Sequence, residues 1–384
     1  MKTIAFITSY GMDKGGTEKF LQTVAALLPK DRFMVDYYYI NTDLSRVSNV
    51  KIDYLKRNKV NIIPYECRNV ISRRRYIRQV GSNFFSVFKG ADIIITGSCG
   101  YPEEPMSKIK NIPIIQTIHY VCGHDEQFNI SRTLHISEFS RDIWVNKGGD
   151  KSRIGLISHP IIIPEYNNID IRKQLGIDKK TFVYGLHQRN SDKIFSPLPL
   201  EAYARIESAE TAFIMCGGSK KYREQSKELG LENAYFIEAT DSNDTLYSFL
   251  DALDVYTHGR LDGELNSTAL AEAMYFGLPI VTHPSSSFNG HLEVVKDNGF
   301  VANNVEEYSQ YMEMLKQNSE LYAKCSKASR TVYMEKYDPN VQMERIISII
   351  YDVLQNPYPF YYRRKILGIR NDLANTIKIV LNRI

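Results

Sequence analysis

The sequence predicts two successive α/β domains, each built around a parallel β-sheet. Short apolar runs alternate with helical patterns along the chain, which is typical of strand–helix–strand units. This alternation stops in a stretch with two prolines at residues 154–164 and then starts again. The length of 384 residues also exceeds what one hydrophobic core usually serves. We therefore predict one domain at residues 1–160, a second at 161–356 and a C-terminal tail at 357–384.

The first predicted domain opens with a strand, a glycine-containing loop and a helix. Residues 3–8 form an apolar run of the kind that is buried in a parallel sheet. Gly15 and Gly16 follow, and the helical pattern at 17–28 ends at Pro29. The other strands of this domain are predicted at residues 35–40, 59–64, 91–96, 112–118 and 132–137.

The second predicted domain repeats the alternation of strands and helices. Its strands are predicted at residues 181–186, 212–216, 234–237, 255–258 and 279–282. Its helices are predicted at residues 199–206, 245–253 and 268–276. Because α/β sheets bind ligands outside the carboxyl ends of their strands, functional residues are expected in the loops that follow the strands.

The net charge of +4 is too small to indicate nucleic acid as a partner, but the charge is unevenly distributed. Residues 1–165 carry 23 Lys and Arg against 16 Asp and Glu, whereas the remainder carries 25 against 28. A basic first half is suited to an anionic lipid surface or an anionic acceptor. Ordinary surface charge is the alternative interpretation.

Five cysteines are scattered without a Cys-x-x-Cys pair, which is typical of reduced thiols in the cytoplasm. No apolar run reaches the length of a membrane span, and the first residues resemble a buried strand, not a signal peptide. We therefore expect a cytoplasmic protein. The amphipathic tail from Pro357 either packs on the N-terminal domain, which we favour, or lies on a membrane surface.

A basic and aromatic segment at residues 68–89 also allows two interpretations. It contains three consecutive arginines at 73–75 and phenylalanines at 84, 85 and 88. Such a segment contacts anionic membranes, but its apolar residues are equally those that a helix buries before the next strand. We favour burial of the aromatic side chains, and the arginines remain a candidate for peripheral membrane contact.

The strongest chemical signal is the segment Glu264-Leu-Asn-Ser-Thr-Ala-Leu-Ala-Glu272-Ala-Met-Tyr-Phe-Gly-Leu-Pro279. Ser267 and Thr268 are good N-cap residues, so a helix is predicted to begin there. A helix N-terminus attracts anions, because its amide groups are unpaired and its dipole end is positive. Glu272 lies one turn into this helix, where it can accept hydrogen bonds from vicinal sugar hydroxyls. The segment therefore predicts a diphosphate site with one carboxylate on each side.

This segment resembles the Glu-x7-Glu motif of retaining glycosyltransferases with the GT-B fold, especially glycosyltransferase family 4, the glycosyl transferases group 1. The Gly-Leu-Pro-Ile-Val continuation is similar too. The resemblance implies two Rossmann-like domains that face a central cleft. It implies that Glu272 holds the nucleotide ribose, that Glu264 lies beside the donor sugar, and that Ser267 and Thr268 contribute hydroxyls at the phosphates. Residues 265–267 replace the family's glycine-rich piece, which leaves the donor sugar open.

Two features of the first domain match the same family. Gly15 and Gly16, with Glu18, resemble its Gly-Gly-x-Glu loop near the donor phosphates and acceptor, with a plain strand–helix turn as the alternative. His119 ends a predicted strand and matches the family's cleft histidine, although a lone histidine is usually structural. The resemblance implies that His119 and Glu264 orient the donor and support charge at its anomeric carbon.

Arg189 and Lys193 follow a strand of the second domain and resemble the cation pair that neutralises the donor diphosphate in this family. Their spacing is slightly shorter than usual, and two ordinary surface cations are the alternative. Two cations at a diphosphate stabilise the leaving group without a metal. No Asp-x-Asp motif lies in a candidate site, so neither a metal nor another cofactor is expected.

These features predict a metal-independent hexosyltransferase that moves a sugar from a nucleoside-diphosphate sugar to an acceptor hydroxyl with retention of configuration. The expected acceptor is a glycan or glycolipid of a surface polysaccharide or glycolipid pathway. A sugar-nucleotide epimerase or hydrolase of the same fold is one alternative, and a non-catalytic nucleotide-sugar-binding module is another. An oxidoreductase is disfavoured, because no Gly-x-Gly-x-x-Gly follows the first strand.

Overall fold

The structure is a computed structural model that describes residues 1–9, 12, 15–43, 47–71, 76–124, 127 and 129–357. The chain divides into two compact units. Among the described residues, unit 1 contains those of 1–160 together with 342–357, and unit 2 contains Ile161–Val341. Apart from Pro357, the predicted tail lies outside the described residues, and so do the three arginines at 73–75.

Unit 1 is built around a seven-stranded parallel sheet. Its strands and those of a separate hairpin are, in chain order, β1 (Lys2–Ile7), β2 (Phe33–Ile40), β3 (Asn61–Tyr65), β4 (Arg68–Ile71), β5 (Ile77–Val80), β6 (Ile93–Ser98), β7 (Ile114–Ile118), β8 (Ile130–His135) and β9 (Ile154–Leu156). The sheet order is β3-β2-β1-β6-β7-β8-β9, and every neighbouring pair is parallel. Helices cover both faces of such a sheet, so Ile4, Phe6 and Ile7 of β1 are fully buried.

Among the described residues before position 160, the α-helices of unit 1 are α1 (Gly16–Leu27), α2 (Asn49–Arg57), α3 (Phe84–Val87) and α4 (Glu138–Asn146). Helix α1 begins directly after the loop that follows β1, with Gly15 as its N-cap. It buries Phe20, Leu21 and Val24, which recur at helical spacing and so lie on one face. This arrangement places Gly15 and Gly16 at the carboxyl edge of the sheet.

The segment at 68–89 differs from a single buried helix. Strands β4 and β5 pair antiparallel as a hairpin, and only the short helix α3 follows. Phe84 is fully buried, and Val87 and Phe88 pack against the same core cluster, whereas Phe85 is 55% exposed. The expected burial of the aromatic side chains therefore holds for two of the three phenylalanines.

Unit 2 contains a six-stranded parallel sheet. The strands of unit 2, including two outside this sheet, are β10 (Phe182–Gln188), β11 (Thr211–Gly217), β12 (Ala234–Ile237), β13 (Val255–Thr257), β14 (Gly263–Glu264), β15 (Ile280–Thr282), β16 (Phe288–Asn289) and β17 (Gly299–Val301). The sheet order is β12-β11-β10-β13-β15-β17, and β14 pairs with β16 apart from it. Its helices are α5 (Ile171–Gln174), α6 (Leu198–Ala204), α7 (Lys220–Glu228), α8 (Asn243–Asp251), α9 (Thr268–Tyr275), α10 (Val305–Gln317) and α11 (Ser319–Lys336).

The last described helix, α12 (Pro339–Gln355), returns to unit 1. Met343, Ile346, Ile350 and Val353 lie on one face of α12 and are buried in the core cluster that contains residues of β1 and β2. Residues 342–356 therefore belong to unit 1, which corrects their predicted place in the second domain. The physical reason is that this apolar face covers the sheet of unit 1.

Candidate active site

The candidate site of unit 2 lies where β10 and β13 end. These strands are neighbours in the parallel sheet, so the loops that follow them meet at its carboxyl edge. The side-chain amide of Gln188 at the end of β10 donates to the carbonyl oxygen of Gly259, 2.9 Å away, in the loop after β13. The loop that carries Arg189 and Lys193 is thereby joined to the loop that leads to Glu264.

Helix α9 begins as the sequence predicted. Ser267 is its N-cap, is fully buried, and accepts a hydrogen bond from the backbone amide of Leu270 at 3.2 Å. Thr268 is the first helical residue. An α-helix leaves the first amide groups without intrahelical partners, so this helix offers donors to an anion at the end where Ser267 and Thr268 lie.

Glu272 is buried in α9 and is paired with a histidine that the sequence analysis missed. The side chain of Glu272 is 7% exposed, and its Oε2 lies 3.2 Å from Nε2 of His187. His187 belongs to β10, and its Nδ1 lies 3.3 Å from the hydroxyl of Tyr256 in β13. Two neighbouring strands therefore orient the imidazole that holds Glu272.

Glu264 is held by two cationic or polar partners that the sequence analysis also missed. Its Oε1 lies 2.8 Å from Nη1 of Arg260, and its Oε2 lies 3.2 Å from Nε2 of His258. Burial would raise the pKa of this carboxyl, but the hydrogen bond and charge of His258, together with the charge of Arg260, lower it to about 2. Glu264 is therefore an ionised carboxylate at neutral pH, with a fixed orientation.

Arg189 and Lys193 remain available to a ligand. Both side chains are exposed, Arg189 directly after β10 and Lys193 in the short 3-10 helix Asp192–Ile194. Neither forms an ion pair within the described part of the chain. An exposed cation with no ion-pair partner among the described residues favours a negatively charged ligand.

The predicted residues of unit 1 form a second group around His119, which follows β7. His119 Nδ1 lies 3.3 Å from Nε2 of His159, a residue that the sequence analysis did not select. Gly16 lies next to His159, because a Cβ atom at Gly16 would lie 3.9 Å from His159 Cε1. The ring of Phe20 contacts both imidazoles. Gly15 and Gly16 are exposed at the start of α1, so the predicted loop and histidine are adjacent within unit 1.

Across the described ranges, no cluster of three His, Cys, Asp or Glu side chains has an arrangement that would hold a metal ion. The helices within those ranges are all too short or too polar to span a membrane.

Gly263 controls the backbone conformation immediately before Glu264. Its φ of +64° lies in the left-handed region, and a Cβ atom there would lie 1.7 Å from the carbonyl oxygen of Phe288 in β16. Gly230 provides a matched control, because its φ is +68° and a Cβ atom there would meet nothing within 4 Å. Both Gly→Ala substitutions incur a left-handed penalty of about 1–2 kcal/mol.

We expect Gly263→Ala to lower the free energy of unfolding by about 1–3 kcal/mol more than Gly230→Ala, because β14 must separate from β16. Thermal or urea unfolding of the two variants measures this difference. Equal losses in both variants would show that the backbone contact at Gly263 yields without strain.

Comparison with known proteins gives a family match and several structural likenesses. Residues 167–332 match the family model described as glycosyl transferases group 1. This range contains Arg189, Lys193, Glu264, Ser267, Thr268 and Glu272. A comparison with curated protein sequences gives no match.

Three solved structures illustrate the likeness of fold. Anabaena HepE in complex with UDP has a TM-score of 0.72 at 18% identity, over 92% of this chain and 100% of that chain. Sucrose-phosphate synthase from Thermosynechococcus elongatus has a TM-score of 0.68 at 13% identity, over 93% and 100%. WaaG, a glycosyltransferase involved in lipopolysaccharide biosynthesis, has a TM-score of 0.61 at 13% identity, over 90% and 99%. The chain therefore has the predicted GT-B fold, and its residues 167–332 match the glycosyl transferases group 1 family, which confirms the resemblance indicated by its motifs.

Proposed function

We propose that this protein is a retaining glycosyltransferase that moves a sugar from a UDP-sugar to an acceptor hydroxyl. The observation that carries the proposal is the arrangement around α9. Glu264 precedes its N-terminus and Glu272 lies one turn into it, and both side chains are largely buried. Two exposed cations, Arg189 and Lys193, follow strand β10 and have no ion-pair partner among the described residues. The family match over residues 167–332 supports the reaction class. HepE is described in complex with UDP and with UDP-glucose, which favours uridine diphosphate as the leaving group here.

In this proposal the diphosphate lies at the N-terminus of α9, and Arg189 and Lys193 neutralise its charge. Charge-assisted hydrogen bonds to phosphate are roughly twice as strong as neutral ones, and exposed cations lose little by exchanging water for phosphate. Leaving-group charge would then be stabilised by protein groups, so the proposed reaction is independent of a metal ion. No other cofactor enters the proposed chemistry.

Glu272 would accept hydrogen bonds from the two ribose hydroxyls. Its Oε2 is already held by His187, so the carboxylate does not have to reorganise when the nucleoside arrives. Glu264 would lie beside the donor sugar. Because Arg260 and His258 keep it ionised, Glu264 supplies a fixed negative charge where positive charge develops at the anomeric carbon.

The proposed acceptor is a glycan or glycolipid of the cell surface, supported by the likeness to WaaG, which is described as acting in lipopolysaccharide biosynthesis. We propose a cytoplasmic enzyme that meets this acceptor at the inner face of the membrane. The β4–β5 hairpin offers a suitable surface, since Ile71 is 74% exposed and Val80 is 47% exposed next to Arg68 and Arg78.

Thermal unfolding with UDP, GDP, ADP and CMP tests the nucleotide site, and UDP is expected to raise the midpoint. A ligand at 100 times its Kd stabilises by about 2.7 kcal/mol, which corresponds to on the order of 5 °C for domains of this size. Glu272→Ala is expected to weaken UDP binding about 10–100-fold, because it removes two hydrogen bonds to a charged acceptor.

Glu320→Ala is the matched control for this experiment. Glu320 is exposed in the first turn of α11, and its loss is expected to leave the UDP shift unchanged. Unchanged UDP affinity in Glu272→Ala would contradict the ribose assignment. If none of the four nucleotides shifts the midpoint, the nucleotide site itself is rejected. Proton NMR of the transfer product then tests retention: an α-configured donor is expected to give an α-linked product, and a β-linked product would contradict the proposal.

A further inference from the structure

His159 contacts the candidate active-site residue His119 from the segment that follows β9. The two rings meet edge to face, with centroids 5.2 Å apart, and Nε2 of His159 lies 3.3 Å from Nδ1 of His119. The ring of Phe20 packs at 5.1 Å from His119 and 5.2 Å from His159. His159 is only 6% exposed. The imidazole pair is thus held by packing as well as by a hydrogen bond, all within unit 1.

The other ring nitrogen of His119 contacts Thr117. Nε2 of His119 lies 3.0 Å from Thr117 Oγ1, and the same hydroxyl donates to the carbonyl oxygen of Thr96 at 3.1 Å. A hydroxyl has a single hydrogen. Because that hydrogen goes to the carbonyl oxygen, Thr117 Oγ1 accepts from His119, and the proton of His119 is on Nε2.

The contact with His159 follows from this tautomer. A neutral imidazole with its proton on Nε2 has an unprotonated Nδ1, which can only accept. His159 must therefore donate its Nε2–H to His119 Nδ1. Burial lowers the pKa of His119 well below its usual value, with the neighbouring His159 as a further cause, and burial lowers the pKa of His159 to about 4. Both rings are consequently neutral at pH 7.

We propose that His159 is a positioning residue for His119: by donating to Nδ1 it fixes His119 as the tautomer protonated on Nε2. In this form His119 meets a ligand as a hydrogen-bond donor and not as a base. A sugar hydroxyl or another ligand oxygen would take over the Nε2–H that Thr117 accepts in this structure. The tautomer itself is independent of the proposed function, and only its effect on catalysis rests on it.

Long-range proton–nitrogen NMR of the full-length, ¹⁵N-histidine-labelled protein tests the proposal directly. The His119 signals are assigned by their loss in His119→Gln. We expect the wild-type ring to be neutral with its proton on Nε2 at pH 7. A ring protonated on Nδ1, or one that exchanges between both tautomers, overturns the proposal without any variant of His159.

Two substitutions at His159 test whether it causes the tautomer. His159→Gln places an amide donor near the position of Nε2 and is expected to keep the tautomer, whereas His159→Leu removes the donor and is expected to give a mixture. His135→Leu is the control, because His135 is equally buried and bonds to Ser140 instead. A His119 tautomer that is unchanged in His159→Leu contradicts the proposed cause. If that variant does not fold, His159→Met, which also lacks a donor, takes its place with the same expected and contradicting outcomes.

The catalytic consequence is measured with UDP-glucose as the donor probe. We expect His159→Leu to lower kcat about tenfold, as for loss of one oriented hydrogen bond, with UDP affinity unchanged and with recovery in His159→Gln. A purely structural role would lower thermal stability without this recovery. If the wild-type protein transfers no sugar from UDP-glucose or from other UDP-sugars, the proposed function fails, while the NMR result on the tautomer still stands.

Discussion

Replacing Glu264 by glutamine is expected to lower kcat about 10²–10³-fold, the range seen when one preorganised electrostatic stabiliser is removed from an active site. The substitution keeps the shape of the side chain but removes its negative charge. Glu264 is the carboxylate with the pKa of about 2, held between Arg260 and His258. In the proposed reaction its charge faces the anomeric carbon, where positive charge is largest in the transition state. The affinity for UDP is expected to change little, because UDP lacks the sugar.

Steady-state kinetics with the donor sugar, together with UDP titration, separate these two expectations. Asp262→Asn is the matched control, because Asp262 also pairs with Arg260, at 2.6 Å from its Nε, but is 38% exposed. Asp262→Asn should reduce kcat far less than Glu264→Gln does, since Glu264 then keeps its charge and its hydrogen bond with His258. Wild-type kcat in Glu264→Gln would remove Glu264 from the chemistry. Similar losses in both variants would assign the effect to Arg260 instead.

The sequence predicted the central elements of both units because their physical signals are local. The central residues of β1 and β10 are buried on both faces, so each strand contains a continuous run without charged residues that can be recognised without knowing its partner. The start of helix α9 was predicted equally well, since Ser267, one of the two predicted cap residues, is the observed N-cap. Local signals of this kind need only the segment itself.

The elements that were not predicted depend on partners far along the chain. Helix α12 is amphipathic, but amphipathicity does not tell which of two sheets it covers, and Ile346 and Ile350 pack in unit 1. The β4–β5 hairpin is a small sheet with much of its surface exposed, so Arg68, Val70 and Ile71 show no clear alternation of buried and exposed residues. The pairing of β4 depends on the sequence of β5. A pattern within one segment therefore does not predict it.

In the candidate site, too, residues with a local signal were predicted and residues that depend on distant contacts were not. Glu264 and Glu272 were selected because their spacing about a predicted helix start is a local pattern. Their histidine partners were missed, because His187 lies 85 positions from Glu272 and a single histidine at a strand end is seldom diagnostic. The one available signal was position: His187 and His258 both lie at carboxyl ends of neighbouring strands, where α/β sheets place functional groups.

Folding stability is expected to fall steeply as the pH drops from 7 to 5, because several histidines are buried in their neutral form. Burial lowers the pKa of His135, His159 and His291 to about 4, with nearby positive charges as a further cause. In the unfolded chain these groups have a pKa of about 6.5. Between pH 6.5 and 4 the unfolded chain therefore binds more protons than the folded chain, and stability falls as the pH falls.

Each of these three histidines is expected to reduce stability by on the order of 1–2 kcal/mol at pH 5 relative to pH 8, so the midpoint of thermal unfolding should fall by on the order of 10 °C. Glu264 acts in a different window, because its lowered pKa stabilises the fold above pH 4.5 and that contribution is lost only towards pH 2. A series of unfolding midpoints from pH 8 to pH 5 therefore measures the contribution of the histidines without that of Glu264.

His135→Gln should make the dependence of the unfolding midpoint on pH shallower, while the same change at the exposed His124 should not. A midpoint that is constant over this range would mean that the buried histidines accept protons without unfolding the protein.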